Sequence, residues 1–287
     1  NGLLTSDGEL WMRQRRLMQP AFHRTRIANY ASVMTRRAER MMTRWSDAQE
    51  LDIHDEMMRL TLDIVAETLF GAEVEDRHAE VGHALELSLE RFVDQLGPLR
   101  FLNRLPLPRT LRFRHAVRKL DAIIYGLIEA RRRNPDANRD DLLSLLLHAV
   151  DDQGEGGGMS DRQLRDEAVT LFLAGHETTA IALSWTWYLL ASAPDVEARL
   201  HSELGEVVGD RLPTPEDLPR LRYTGMVLRE SMRLYPPAWR IGREVSDECV
   251  VGGYRLPLKA QILMCQWIVH RDPRFYEDPE TFRPERW

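Results

Sequence analysis

The sequence predicts a mainly α-helical protein with a small β-sheet, an α+β fold class. Apolar residues recur at helical spacing through the first two thirds of the chain, whereas short extended segments gather after the Pro236-Pro237 pair. Between two of these segments, Gly252-Gly253 is a two-residue turn that is typical of a β-hairpin. With 43% hydrophobic residues, the 287-residue chain can bury a sizeable core.

The helical elements are predicted from apolar periodicity and from the glycines and prolines that interrupt it. Gly71 ends the third helix, Leu105–Pro108 forms a turn, and Asn134-Pro135 ends a long helix. Gln153–Gly158 is the clearest flexible linker. The predicted helices are Leu10–Leu17, Ile27–Trp45, Asp52–Phe70, Ala79–Leu96, Thr110–Arg133, Asp141–Val150, an apolar helix from a capping box at Ser160–Gln163 to Pro194, and Asp195–Val208.

The last predicted helix begins at Thr214–Asp217, since threonine is a favourable N-cap and proline fits the first turn. The extended segments are Glu244–Val251, Tyr254–Leu256 and Ala260–Trp267. We expect one domain over residues 1–287, with a helical body at about 8–237, a small sheet region at about 244–270 and a Pro-Glu-Arg segment at 279–287.

Charge and cysteine content narrow the functional class. Lys and Arg total 39 against 45 Asp and Glu, a net charge of −6, which argues against nucleic acid as a partner. Cys249 and Cys265 provide no disulfide framework, and neither has a Cys or His neighbour at metal-ligand spacing. The most apolar stretch, Ala168–Ala193, contains Glu177, so we expect a core helix rather than a membrane span.

A first polar motif lies inside this apolar helix, Ala174-Gly175-His176-Glu177-Thr178-Thr179. Glycine and back-bonding threonines can bend a helix, and an acid beside two hydroxyls could relay protons. A kinked core helix with a satisfied acid is the alternative. It is not a zinc-protease motif, because Ala180 stands where the second histidine is required.

A second motif places Glu230 and Arg233 on one helical face. Their apolar neighbours favour a buried pair, which needs further partners to be tolerated. Arg286, on the proline-fixed segment Pro279–Trp287, could be such a partner. The alternatives are a common surface pair and an ordinary proline-rich loop.

A third motif aligns Trp11 with Arg15 one helical turn later. Both side chains are hydrogen-bond donors only, so they suit an anionic carboxylate. Arg243, after the Pro236-Pro237 pair, could be another carboxylate donor or simply a surface residue. A solvated basic face that docks an acidic partner is the alternative for the first pair.

The order of these motifs resembles the cytochrome P-450 family: Trp-x-x-x-Arg, Ala-Gly-x-Glu-Thr-Thr, Glu-x-x-Arg, Pro-Pro with a following Arg, and Phe-x-Pro-Glu-Arg. The resemblance runs from Trp11 to Trp287. It implies a cytochrome P-450 fold, and because the chain opens without Met and ends abruptly, we expect a fragment truncated at both ends.

The resemblance implies a role for each motif. Trp11, Arg15 and Arg243 would donate to the carboxylates of heme b. Glu230, Arg233 and Arg286 would form a structural charge triad. The remaining implied roles are Glu177 and Thr178 as the catalytic acid-alcohol pair that holds dioxygen and delivers protons, Ala174 and Gly175 as room for dioxygen beside the heme, and Leu171, Phe172, Ala238 and Trp239 as substrate-lining residues.

The implied activity is insertion of one oxygen atom of dioxygen into an apolar small molecule, with electrons from NAD(P)H through a separate ferredoxin or flavodoxin. The resemblance also implies a cytoplasmic, bacterial and soluble protein, although an anchor upstream of residue 1 stays open. The alternatives are a same-fold peroxygenase or isomerase, and a non-catalytic truncated fragment.

The chain departs from the family at the iron ligand. The family's cysteine lies in a Phe-x-x-Gly-x-Arg-x-Cys-x-Gly loop shortly after the Pro-Glu-Arg segment, and we expect it beyond Trp287. Neither Cys249 nor Cys265 has the glycine and arginine neighbours of that loop. We therefore assign no metal ligand within residues 1–287, and expect the fragment alone to be inactive.

Overall fold

A computed structural model describes residues 2–71, 81, 82, 84, 85, 87, 108–133, 141–150 and 157–287. It divides into two compact units, residues 1–177 and 178–287, with the division inside one continuous helix. The single domain that we expect stays a prediction. Four predicted segments lie wholly or mostly outside the described residues: most of the helix Ala79–Leu96, residues 105–107 of the turn, Asn134-Pro135 and most of the Gln153–Gly158 linker. The last residue of that predicted turn, Pro108, begins a helix.

The first unit is built from helices. The described helices are α1 (Gly8–Met18), α2 (Arg24–Asn29), α3 (Ala31–Met42), α4 (Ile53–Phe70), α5 (Pro108–Arg133), α6 (Leu142–His148) and α7 (Asp161–Ala191), which continues into the second unit. A single apolar cluster buries one face of α1, α4, α5, α6 and α7, with Met18, Ala66, Ile124, Leu143 and Leu164 almost fully buried. This packing fixes the outward faces of α1 and α7.

Local sequence signals explain the helix ends. The Asp52 carboxylate accepts hydrogen bonds from the backbone N–H groups of His54 and Asp55, and Gly71 ends α4 in the left-handed conformation at φ 56°. The capping box before α7 is also present: the Ser160 N–H donates to the Gln163 side chain at 3.2 Å, and the Gln163 N–H donates to the Ser160 hydroxyl at 3.3 Å.

The predicted helix Ile27–Trp45 is instead two helices, α2 and α3, which meet at Tyr30. The Tyr30 N–H donates to the Ile27 carbonyl at 3.1 Å, a short-range closure that ends α2. The Tyr30 carbonyl then accepts from the Met34 N–H at 3.0 Å and opens α3. Periodicity continues through this joint, so the pattern alone could not locate it.

The second unit carries the strands as well as helices. Its elements after α7 are α8 (Pro194–Val207), a 3-10 turn (Pro215–Asp217), α9 (Arg222–Leu234), β1 (Ile241–Glu244), β2 (Cys249–Val251), β3 (Tyr254–Leu256), β4 (Gln261–Met264), α10 (Gln266–Val269) and a 3-10 turn (Pro284–Arg286). A small core of Leu190, Tyr223 and Val227 joins α7, α8 and α9.

The predicted small sheet is two antiparallel pairs in the described residues. β1 pairs with β4, with Ile241 opposite Met264, and β2 pairs with β3, with Val251 opposite Tyr254. The predicted turn is confirmed, since Gly252 and Gly253 have φ values of 57° and 84°, as a two-residue hairpin requires. Strand β1 begins at Ile241, three residues before the predicted start of the extended region.

The predicted helix start at Thr214 is wrong. Thr214 and Asp217 do form a capping box, but it closes only the 3-10 turn Pro215–Asp217. Helix α9 begins later, at Arg222, because a carboxylate outside this capping box accepts from its first backbone N–H groups. The Glu203 carboxylate of α8 accepts from the N–H groups of Tyr223 at 2.6 Å and Thr224 at 2.8 Å.

Across the part of the chain that the structure describes, no helix combines the length and apolarity that crossing a bilayer requires.

Candidate functional site

Trp11 and Arg15 lie on the outward face of α1. Gln14, Leu17 and Met18 are buried on the opposite face, which sets the rotation of the helix. The Arg15 guanidinium stacks on the Trp11 ring, with its central carbon 5.3 Å from the ring centroid. Among the described residues, neither side chain donates to a carboxylate. The guanidinium and the neighbouring indole can therefore donate hydrogen bonds to an acidic ligand.

The start of α1 is held by close contacts within the first unit. The Leu3 N–H donates to the Glu167 carboxylate of α7 at 2.9 Å. A Cβ at Gly2 would lie only 2.1 Å from the Thr170 hydroxyl, so only glycine permits this approach. Glu167 is fully buried, and burial raises the pKa of its carboxyl group. These contacts tie the segment before Trp11 to α7.

Helix α7 carries the predicted acid-alcohol motif near its middle. In the first unit, Ala174 is exposed, Gly175 and Glu177 are half-buried, and His176 is buried. A Cβ on Gly175 would lie 3.1 Å from a Val65 methyl group, so this glycine also allows close packing against α4. In the second unit, Thr178 is exposed. The roles of these residues toward dioxygen stay predictions.

The predicted substrate-lining residues fall in different environments. Phe172 is 3% exposed and belongs to the main core of the first unit, and Leu171 packs against that core. In the second unit, Ala238 and Trp239 are exposed. Their contact with a substrate stays a prediction.

The structure brings Glu230, Arg233 and Arg286 together in the second unit. The two oxygens of Glu230 accept from Nε and Nη2 of Arg233, both at 2.9 Å, and from Nε of Arg286 at 2.8 Å. Glu230 and Arg233 are 0% and 1% exposed. Glu230 has two further donors that the sequence did not indicate. The Arg283 backbone N–H and the Trp287 indole N–H each donate to its carboxylate at 3.0 Å.

The charge network is buried yet satisfied. Burial opposes ionisation of Glu230, but hydrogen bonds from Arg233, the Arg283 N–H and Arg286 outweigh it and lower the pKa of the carboxyl group. Nη1 of Arg233 donates to the carbonyls of His270 and Pro279 at 2.7 and 2.6 Å. A buried ion pair persists when its remaining donors are satisfied in this way.

A second set of contacts holds the Pro-Glu-Arg segment from its other side. The Glu285 carboxylate accepts from Arg199 at 2.8 Å and from the Tyr223 hydroxyl at 3.0 Å. Arg199 also lies over the Tyr223 ring, 4.2 Å from its centroid. Burial and the neighbouring carboxylate raise the pKa of Tyr223 to about 12. Glu285 and Arg286, which are consecutive in the segment, therefore bind it to α8 and α9.

Arg243 lies exposed in β1, where its Nη1 donates to the Gly242 carbonyl at 2.8 Å. Among the described residues it has no acidic partner, so it can donate to a ligand carboxylate. Cys249 is exposed in β2, and the Cys265 thiol lies 3.7 Å from the Trp239 carbonyl. No group of three or more potential metal ligands occurs within the described ranges.

Comparison with known proteins identifies the family. Residues 1–287 match the cytochrome P450 family profile. The chain is 43% identical to cyclooctatin synthase of Streptomyces melanosporofaciens, 38% to cyclooctat-9-en-7-ol 5-monooxygenase of the same species and 36% to pentalenene oxygenase of Streptomyces avermitilis. All of this chain aligns, and it spans 63%, 62% and 64% of the length of those relatives. The chain therefore belongs to the cytochrome P450 family.

Proposed function

We propose that this protein is a heme-dependent monooxygenase that inserts one oxygen atom of dioxygen into an apolar organic substrate. The observation that carries the proposal is the Trp11–Arg15 pair, an indole and a guanidinium that face outward together without a carboxylate partner among the described residues. Family membership supplies the rest of the support, because relatives are named as a monooxygenase and an oxygenase.

The donor set suits the carboxylates of heme b. Trp11 and Arg15 on α1 and Arg243 on β1 would each donate to a propionate, and all three are donors only. When bound, the iron porphyrin supplies the activation of dioxygen. Neither Cys249 nor Cys265 would hold the iron, since neither lies in a ligand-loop sequence.

Glu177 and Thr178 are the residues that we propose to move protons. A hydroxyl beside a carboxylate can hold a water molecule and relay a proton from the acid. The exposed Ala174 puts only a small side chain on the helix surface just before this pair, whereas Gly175 packs against a Val65 methyl group of α4. The protein's part is thus to bind, to orient and to deliver protons.

For the substrate we propose a compact apolar molecule. Relatives are named for cyclooctat-9-en-7-ol and pentalenene. The electron donor that we propose is a ferredoxin or flavodoxin that draws on NAD(P)H. Its candidate docking site is the arginine-rich sequence of α1 and α2 that contains Arg13, Arg16 and Arg24. Of these, Arg13 also donates to the Gly157 and Gly158 carbonyls.

Hemin titration of the purified protein tests the proposal. We expect a saturable Soret change, and Arg15→Gln should weaken hemin binding by about tenfold, since it removes a charge-assisted bond. Arg118→Gln is the matched control, because Arg118 is an exposed helix arginine whose one hydrogen bond among the described residues goes to the Arg114 carbonyl of its own helix. If hemin gave no saturable Soret change with this protein, the proposal would be refuted.

The proton relay has its own test in the active protein. Thr178→Ala should divert reducing equivalents to hydrogen peroxide, so that less product forms for each NAD(P)H consumed. Thr35→Ala, in α3, is the matched control for the loss of a helical threonine. Unchanged coupling in Thr178→Ala would remove the proposed role, whatever the hemin titration shows.

A further inference from the structure

A fully buried acid of α7, Glu167, takes no part in the proposed proton relay. Its side chain is 0% exposed, and its one hydrogen bond within the described part of the chain comes from the Leu3 N–H, which reaches Oε2 at 2.9 Å. The other oxygen, Oε1, is buried without a partner among the described residues. No described arginine or lysine pairs with this acid, because the neighbouring Arg165 binds Asp121 and Asp166 instead.

The burial of Glu167 lowers the stability of the fold. It raises the pKa of the carboxyl group, since a carboxylate loses its hydration inside the core. A buried oxygen that makes no hydrogen bond adds a further cost, whereas an apolar side chain of the same length would have none. The role of the acid must therefore lie in the one hydrogen bond that it accepts.

That hydrogen bond fastens a compact turn before α1 to α7. The Gly2 carbonyl accepts from the N–H groups of Thr5 and Ser6 at 2.9 and 3.0 Å, which closes the turn. Gly2 itself is buried so close to α7 that a Cβ would lie 2.1 Å from the Thr170 hydroxyl. Leu3 packs against the main core of the first unit. The turn is thus held on α7 by one hydrogen bond and by close packing.

The turn in turn sets the position of α1. The Ser6 hydroxyl donates to the side chain of Gln14, which is fully buried on the inner face of the helix. The Asp7 carbonyl then accepts from the Trp11 N–H at 3.2 Å, the hydrogen bond that opens α1. Trp11 lies three residues before Gln14 and Arg15 one residue after it, so a fixed Gln14 also fixes the directions of both donors.

We propose that Glu167 is a positioning residue for the donors to the heme carboxylates. By accepting the Leu3 N–H from inside the core, it holds the start of α1 against α7, so that Trp11 and Arg15 present their N–H groups to the same ligand. Donors that are fixed before binding lose less freedom when the ligand arrives, which raises the affinity. This role rests on the proposed function, because that function supplies the ligand. Glu167 acts through α1 and needs no contact with the ligand.

Hemin titration of three variants tests this role. Glu167→Leu keeps a buried side chain but removes the acceptor, and it should weaken hemin binding about tenfold, the worth of one donor's bond. Glu167→Gln keeps one acceptor oxygen for the Leu3 N–H, so its hemin affinity should stay within about twofold of the wild type. Glu56→Leu is the matched control, because Glu56 is a buried acid that binds Trp45 and Arg59 instead, and its hemin affinity should not change.

Hydrogen exchange of the Leu3 amide, followed by NMR without hemin, reports on the turn directly. The amide should exchange at least about tenfold faster in Glu167→Leu than in the wild type. In Glu167→Gln and Glu56→Leu it should exchange at the wild-type rate, because the hydrogen bond is kept. If Glu167→Leu bound hemin as tightly as the wild type, or if Glu167→Gln failed to restore the affinity, the assignment would be overturned.

Gly2→Ala disturbs the same turn from its other side. The added methyl group would meet the Thr170 hydroxyl and the Asp166 backbone carbonyl, so the turn must move off α7, and hemin binding should again weaken about tenfold. Because both substitutions release one turn, the double variant with Glu167→Leu should also lose about tenfold rather than about a hundredfold. Gly126→Ala is the control, since the space around this α5 glycine is open. Additive losses would contradict the proposed role.

The two proposals fail separately. If Leu3 exchange depended on the Glu167 acceptor in a protein that took up no hemin, the proposed function would be refuted and the hold of Glu167 on the turn would stand. If the wild type and Glu167→Leu took up hemin with equal affinity, the positioning role alone would be refuted.

Discussion

Replacing Glu230 by Gln is the sharpest test of the buried charge network. The substitution keeps the shape of the side chain but removes its charge, so that Arg286 and the 1% exposed Arg233 lose their carboxylate partner. An amide also has only one acceptor oxygen, whereas the carboxylate accepts five hydrogen bonds from Arg233, Arg283, Arg286 and Trp287. Leaving buried guanidinium groups without their counter-ion typically costs about 3–5 kcal/mol.

We therefore expect Glu230→Gln to lower the free energy of unfolding by about 3–5 kcal/mol at pH 7. Urea denaturation followed by circular dichroism at about 222 nm, the helix band, measures this loss. The dependence of the unfolding free energy on urea concentration is compared between the two proteins. Arg283→Gln is the matched control: only its backbone N–H bonds to Glu230, and its side chain is 38% exposed, so the loss should stay within about 0.5 kcal/mol.

The pH dependence of the same difference gives a second check. The folded state lowers the pKa of Glu230 below its ordinary value of 4.5, so its ionic contribution is complete above that value. The contribution is lost as the pH falls through the lowered pKa, where both the wild-type acid and the amide are uncharged. A loss below about 1 kcal/mol at pH 7, or one that does not shrink in acid, would refute the reasoning.

Three further predictions concern the contacts around α9. The pKa of about 12 at Tyr223 predicts a late phase in the tyrosinate absorbance titration, and the free energy of unfolding should fall as the pH rises from 10 towards 12. Tyr223→Phe should abolish that phase, and Tyr254→Phe should not. Glu203→Gln should lower the free energy of unfolding by about 1 kcal/mol in urea denaturation, because the cap of α9 loses its charge, and an unchanged midpoint would contradict it. Ser231→Ala should lower it by about 1 kcal/mol, since Ser231 accepts from the Thr186 hydroxyl at 2.8 Å where both are buried; a neutral result would mean the bond contributes nothing.

Helices with their own terminal signals could be predicted from sequence. Asp52 and Gly71 mark the limits of α4 to within one residue, and Ser160 and Gln163 mark the start of α7. The Gly252-Gly253 hairpin is equally local, because its φ values are ones that glycine adopts without strain.

What could not be predicted depends on partners distant in sequence. The start of α9 is set by Glu203, some twenty residues earlier in the chain. Pairing of β1 with β4 joins Ile241 to Met264, and periodicity does not encode such registers. The pattern likewise identified Glu230 and Arg233 but not the Trp287 indole, which has no sequence signal of its own.

The candidate site divides in the same way. The types of donor at Trp11, Arg15 and Arg243 follow from residue chemistry alone. That Gly175 meets a Val65 methyl group, and that Trp239 shares a cavity with Trp185 and Trp267, depends on how helices and strands pack. The order of the motifs in the sequence indicated the family, whereas the surroundings of each site residue depend on how the elements pack.

Because its first turn is closed by a carboxylate from α8, α9 has no complete set of signals within its own residues. A peptide limited to Arg222–Leu234 would leave those amides to water and would fray from its beginning. The complete arrangement at Glu230 likewise needs partners far along the chain, since Arg283, Arg286 and Trp287 donate to it from more than fifty residues away. The ionic cluster therefore depends on tertiary assembly as well as on the helix that bears Glu230 and Arg233.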